Sequence, residues 1–119
     1  MYYLTYEIPS DRGYGHFCVT GTIDRDHVIP MFEEIVTQCK ASNINKILLN
    51  VKELELNFQG LALVENLHRL EPILSGFKMA RLVKHIDVNS GLIDSYSEQN
   101  KVDIRNFENE KEATQWLLS

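Results

Sequence analysis

Cysteine is scarce in this chain, with only Cys18 and Cys39 among 119 residues and no C-x-x-C pair. That is too few for a small disulfide scaffold, and the expectation is two buried thiols packed as small hydrophobes. The four histidines, His16, His27, His68 and His85, form neither H-x-x-x-H nor H-E-x-x-H. The spacing that sets two metal ligands on one helical face is therefore missing, and no metal is expected. Proline (three) and glycine (six) are too sparse for a collagen-like rod or a flexible linker. No apolar run approaches the roughly 18 residues that span a bilayer. The start, Met1-Tyr2-Tyr3-Leu4-Thr5-Tyr6-Glu7, has neither the basic flank nor the apolar stretch of a secretory signal. Positive charge is in deficit: 12 Lys and Arg against 17 Asp and Glu give a net charge of -5, which disfavours non-specific binding to nucleic acid or anionic membrane.

What is present is an ordinary globular composition, 44% hydrophobic and 24% charged, of a length that suits one soluble, cytoplasmic domain over residues 1–119. Tyr2 to Ile8 reads as a strand, Pro9 to Gly13 as a turn and Tyr14 to Thr20 as a second strand, together an antiparallel hairpin. Gly13-Tyr14-Gly15 lacks the third glycine of a phosphate loop and opens a strand, so no nucleotide site is read there. Gly21 to Asp24 closes the second strand. Asp24 or Asp26 then caps a helix whose apolar stripe is Val28, Phe32, Ile35, Val36 and Cys39, with Pro30 close enough to the start either to be tolerated or to split off a leading turn. Lys46 to Val51 is a short apolar run, as in a strand buried on both faces. Lys52 to Asn57 reads as a connection. A second helix is expected from Phe58 or Gln59 to about Ser75, with the stripe Leu63, Leu67, Leu70 and Leu74 and a kink or early stop at Pro72. Lys78 to Lys84 is a strand. Ser90 to Gln99 is a short helix with Leu92, Ile93 and Tyr96 inward, and Lys101 to Phe107 an alternating edge strand. Asn109 with Glu112 begins a last helix, whose Ala113, Trp116 and Leu117 face the sheet. Alternation of strands and helices after the hairpin predicts an α/β domain with a parallel sheet.

Taken in order, these segments resemble a STAS domain, the family of sulphate-transporter and anti-sigma-factor-antagonist domains, in its stand-alone SpoIIAA-like branch. The residues that carry the resemblance are Val19-Thr20-Gly21-Thr22-Ile23 before the first helix and Lys46 to Val51. Asn57-Phe58-Gln59-Gly60 before the second helix, Phe77 to Val83, and Val102 to Asn109 running into Glu112 to Leu117 complete it. The resemblance implies a mixed, mostly parallel sheet with an N-terminal hairpin and about four flanking helices. It also implies no cofactor, no enzymatic activity, and a place in bacterial signal transduction through binding another protein. In signalling members a serine at the start of the second helix is phosphorylated, where added charge meets free N–H groups. Here Leu56-Asn57-Phe58-Gln59-Gly60-Leu61 has no hydroxyl, so the switch is expected to be absent. Asn89-Ser90-Gly91-Leu92 is similar to the missing motif but follows a later strand, and is read as a helix cap, with phosphorylation of Ser90 kept open.

Three functions are weighed. The favoured one is a regulatory module that binds a protein through Asn57, Phe58, Gln59 and Gly60, with Phe58 either an exposed anchor or a plug between sheet and helix. The second is a carrier of lipid or another small apolar ligand, similar to CRAL-TRIO lipid-transfer domains, with a slot between the second and third helices lined by Leu63, Leu67, Leu92 and Ile93. The third is an enzyme built from the strand-end residues Asp24, Asn50, Lys52, Lys84, His85 and Asp87, which no nucleophile motif supports. A homodimer is left open.

Overall fold

The computed structural model describes residues 1–9 and 11–119, so the turn expected over 9–13 includes one residue, Ser10, outside the described set. The chain opens with strands β1 (Tyr2–Glu7) and β2 (Gly15–Ile23), paired antiparallel with Tyr2 opposite Gly21 and Glu7 opposite His16. Helix α1 (Arg25–Ala41) leads to β3 (Lys46–Asn50), a short β4 (Leu54–Leu56) and α2 (Leu61–Leu70). Then follow β5 (Lys78–Leu82), α3 (Val88–Asn100), β6 (Ile104–Phe107) and α4 (Glu110–Leu117). The sheet order is β1-β2-β3-β5-β6, with every pair after the hairpin parallel and β6 at an edge, as the alternation of elements predicts.

Strand alternation sends side chains to two separate layers. Phe17 and Val19 of β2, Ile47 and Leu49 of β3 and Met79 of β5 pack under α1, α2 and α3. Leu48 and Ala80, one residue out of phase, meet Ala113 and Leu117 of α4 on the other side. The stripe Val28, Phe32, Ile35, Val36 and Cys39 is buried, as is Leu63, Leu67, Leu70 and Leu74.

Several expectations are corrected. The stretch read as a connection contains β4, which pairs Leu54 to Gly21 and Leu56 to Ile23. The reason is the length of β2: β3 covers only Gly15 to Cys18, and the far end of β2 needs another partner for its backbone. β2 accordingly runs past Thr20 through Gly21, whose φ of +96° lets it pass close to the Met1 carbonyl where a side chain could not fit. Of the two readings of Pro30 the tolerated one holds, and the proline does not split α1. It lies in the exposed second turn, and the helix is continuous through it. α2 starts at Leu61, later than expected, and stops at Leu70, because Pro72 has no N–H to give the carbonyl of His68. α3 starts earlier than expected: Asp87, not Asn89 or Ser90, is its cap and accepts from the Ser90 N–H at 2.8 Å. Ile93 is buried, while Leu92 and Tyr96 are only half-buried. The last strand is shortened to Ile104–Phe107. Asn109 caps α4 by accepting from Glu112 N–H, but Trp116 is half-buried, its ring against Phe107 and under the Lys78 ammonium at 4.5 Å. Cys39 is buried as expected; Cys18 is half-exposed.

Candidate functional site

The starts of α1, α2, α3 and α4 all follow the carboxyl ends of strands, so one rim of the sheet carries four helix N-termini, that of α4 capped by Asn109. Each is treated differently by the sequence. At α1, Asp24 accepts from the Asp26 N–H and from His27 Nδ1 at 2.6 Å, and the His27 bond holds its carboxyl below the ordinary value. At α3, Asp87 is held low chiefly by the Ser90 N–H. At α2 the cap is Gly60, which offers no side chain, and the first turn has no acidic residue.

The loop leading to α2 is anchored by Asn57 N–H donating to the Ile23 carbonyl at 2.8 Å. Asn57, Gln59 and Gly60 are exposed, and Leu61 just beyond is 73% exposed. Phe58 is half-buried and turns inward against the core. The loop thus has two sides: a polar outer edge, and one aromatic ring that lines a cavity.

That cavity, about 60 Å³, lies between the sheet and α1–α3. Leu63, Leu67 and Ile93 line it together with Phe58; Leu92 does not, since it lies further round α3. The slot read between the second and third helices is therefore a partly open space beneath all three helices. Its one charged lining residue among those described is Arg81. Arg81 Nη1 donates to Asn106 Oδ1. Asn106 Nδ2 donates in turn to the Ser90 carbonyl at 3.0 Å and to Asp94 Oδ1 at 2.9 Å, and Asn106 N–H reaches the same oxygen at 3.0 Å. Burial pushes the Arg81 guanidinium down to about 10, against the opposing pull of Asp87 and Asp94. Arg81 also lines an open groove of about 390 Å³ on the rim, with Lys52, Lys84, His85 and Asp87.

Of the strand-end residues weighed for an enzyme, Lys52, Lys84, His85 and Asp87 share this groove, whereas Asp24 and Asn50 do not line it. Lys84 is paired with Glu53 at 3.2 Å, Asp87 is committed to its cap, and Asn50 accepts from the Lys52 N–H at 3.0 Å. Ser90, kept open as a phosphorylation site, is buried at the base of α3, so its hydroxyl is not presented to a kinase. Among the described residues no helix is long and apolar enough to cross a membrane.

The chain matches solved structures over nearly its whole length. A protein of the DUF3478 family from Shewanella loihica PV-4, with a SpoIIAA-like fold, superposes with a TM-score of 0.60 at 18% identity, covering 98% of this chain and 93% of that one. An anti-sigma factor antagonist from Mycobacterium paratuberculosis gives 0.60 at 12% identity, over 98% and 96% of the two chains. The fold is SpoIIAA-like. The anti-sigma factor antagonist SpoIIAA in its unphosphorylated form gives a TM-score of 0.53 at 14% identity over 96% of each chain. No family model matches the sequence, and no curated protein matches it. Within this SpoIIAA-like frame the hairpin, the mostly parallel sheet and the four helices expected from the resemblance are all present.

Arg81 and Asn106 are not singled out by the sequence reading. The signal was there for Arg81: in Met79-Ala80-Arg81-Leu82-Val83 it shares the parity of Met79 and Val83, the face that packs beneath the helices.

Proposed function

We propose that this protein is a non-enzymatic regulatory module that binds another protein through the loop Asn57–Gly60 and the first turn of α2, and acts in the cytoplasm without a phosphoserine switch. The observation that carries the reading is the surface at that helix start. Gln59, Gly60 and the apolar Leu61 are exposed side by side, the helix end lacks a side-chain cap, and positions 56–61 hold no hydroxyl. The SpoIIAA-like fold it shares with anti-sigma factor antagonists supports a protein partner rather than nucleic acid. Gln59 is neutral and cannot imitate a phosphate, which carries roughly -1.5 to -2 charges. The module is then constitutive, and its binding depends on shape and on the exposed Leu61.

The test is affinity capture of the natural partner by wild type, Gln59→Glu and Leu61→Ala, with equal thermal stability verified first. Weaker recovery by both variants supports the reading. Equal recovery from all three removes this loop from the binding surface.

A second reading is favoured by a different observation, the cavity lined by Phe58, Leu63, Leu67 and Ile93. In this reading the protein holds a small apolar ligand beneath its helices.

A further inference from the structure

Apart from Asn66, whose Nδ2 donates to the Arg25 carbonyl at 3.3 Å, the cavity is apolar with one guanidinium in its wall, and that is a chemical description of a ligand. Arg81 has five N–H donors, and a single protein acceptor, Asn106 Oδ1, engages them among the described residues. The two nearby carboxylates are committed elsewhere. Asp94 Oδ1 takes two bonds from Asn106, and Asp87 takes the Ser90 N–H. Neither forms an ion pair with Arg81. The half-buried guanidinium thus keeps N–H groups without the bidentate protein partner for which its planar fork is shaped.

We propose that this cavity binds a short-chain monocarboxylate, its alkyl tail against Leu63, Leu67 and Ile93 and its carboxylate on the unpartnered edge of Arg81. The proposal rests on the apolar-ligand reading above and adds the head group and the length. Length follows from volume. The cavity, about 60 Å³, is well below the roughly 150 Å³ that admits a benzene ring to an engineered apolar cavity. A long acyl chain or a phospholipid does not fit, whereas a few methylene groups do. Head-group chemistry follows from charge: a neutral alcohol of equal length would leave Arg81 as it is, while a carboxylate would accept two of its free N–H groups. Because Arg81 also lines the open rim groove, the carboxylate would lie where the cavity meets the solvent.

The experiment is an NMR titration of the intact protein with butanoate, butan-1-ol and acetate, following backbone amides. Butanoate is expected to shift the amides of Leu63, Leu67, Arg81 and Ile93 and to bind tighter than butanol by on the order of ten-fold or more. Arg81→Met should bring butanoate down to the butanol level. Leu67→Phe, which fills the cavity and leaves Arg81 in place, should abolish both. If butanol matches butanoate and Arg81→Met changes neither, the head-group assignment falls while the apolar-ligand reading stands. If acetate binds as well as butanoate and Leu67→Phe is without effect, the anion sits in the rim groove and the cavity proposal falls. If neither four-carbon probe binds, both fall. Should Arg81→Met not fold, the ratio of butanoate to butanol in wild type and the Leu67→Phe result still decide.

Discussion

Arg81 and Asn106 stand opposite each other across the β5–β6 pair, and the guanidinium of one donates to the side-chain oxygen of the other at 2.5 Å. The same asparagine uses its amide nitrogen to hold the Ser90 carbonyl and Asp94 of α3. One side chain therefore joins two strands and a helix.

Asn106→Ala should accordingly destabilise the protein by about 3 kcal/mol. It strips hydrogen bonds from Arg81 and Asp94 while leaving both charged groups partly desolvated. Urea unfolding measures this directly. An unchanged midpoint would mean that water replaces the asparagine at no cost.

Asp87→Ala should cost about 1 kcal/mol at neutral pH, the usual worth of a helix cap. The effect has a definite pH signature. The Ser90 N–H holds the folded Asp87 carboxyl below its ordinary 3.8, so its contribution is present above that value and disappears as pH falls through the lower folded value. Melting curves of wild type and variant should differ at pH 7 and draw together below about pH 3.8. A constant difference into acid would assign the loss to something other than the ionised cap.

The two thiols should differ sharply in reactivity. Cys39 is fully buried and burial pushes its thiol up to about 11, whereas Cys18 is half-exposed on the sheet. At pH 8 a thiol-specific reagent should modify Cys18 in the native protein and reach Cys39 only in denaturant. Rapid native modification of Cys39 would show that α1 opens far more readily than its packing implies.

Two glycines offer a paired comparison. Gly60 has φ +62° and ψ −127°, and an added Cβ would meet nothing within 4 Å, so Gly60→Ala carries backbone strain alone, about 1–3 kcal/mol. Gly21→Ala carries similar strain and also drives a methyl into the Met1 carbonyl. Its melting temperature should fall further than that of Gly60→Ala. The reverse order would show that the first strand yields easily.

The parts of the fold legible in the sequence are those where one local signal decides. The stripe from Val28 to Cys39, the apolar run at Ile47 to Leu49 and the cap at Asn109 each need only their neighbours to be understood. β4 is different. Three residues carry too little periodicity, and Leu54–Leu56 is a strand because the outer end of β2 lacks another partner. The cap of α3 was misplaced because Asn89-Ser90 is itself good capping chemistry, and the choice of Asp87 depends on Ser90 being drawn under the sheet by Asn106. The loop Asn57–Gly60 is legible as a junction, but whether Phe58 turns in or out depends on the core it packs against. Arg81 is the instructive omission: its strand parity pointed inward, yet only the folded chain shows how few acceptors await it there.

α4 packs on β3, β5 and β6, which leaves the same face of the hairpin without a helix. There Tyr3, Thr5 and Glu7 lie opposite Thr20, Cys18 and His16, all at least partly open to water. The sheet is consequently a sealed slab at one end and a single-sided veneer at the other. Amide protons of β1, held by one neighbouring strand and one dry face, should exchange with solvent well before those of β3, which is clamped on four sides. Opening of the molecule would begin at its first strand and move inward, and the rim with Arg81 would be reached late.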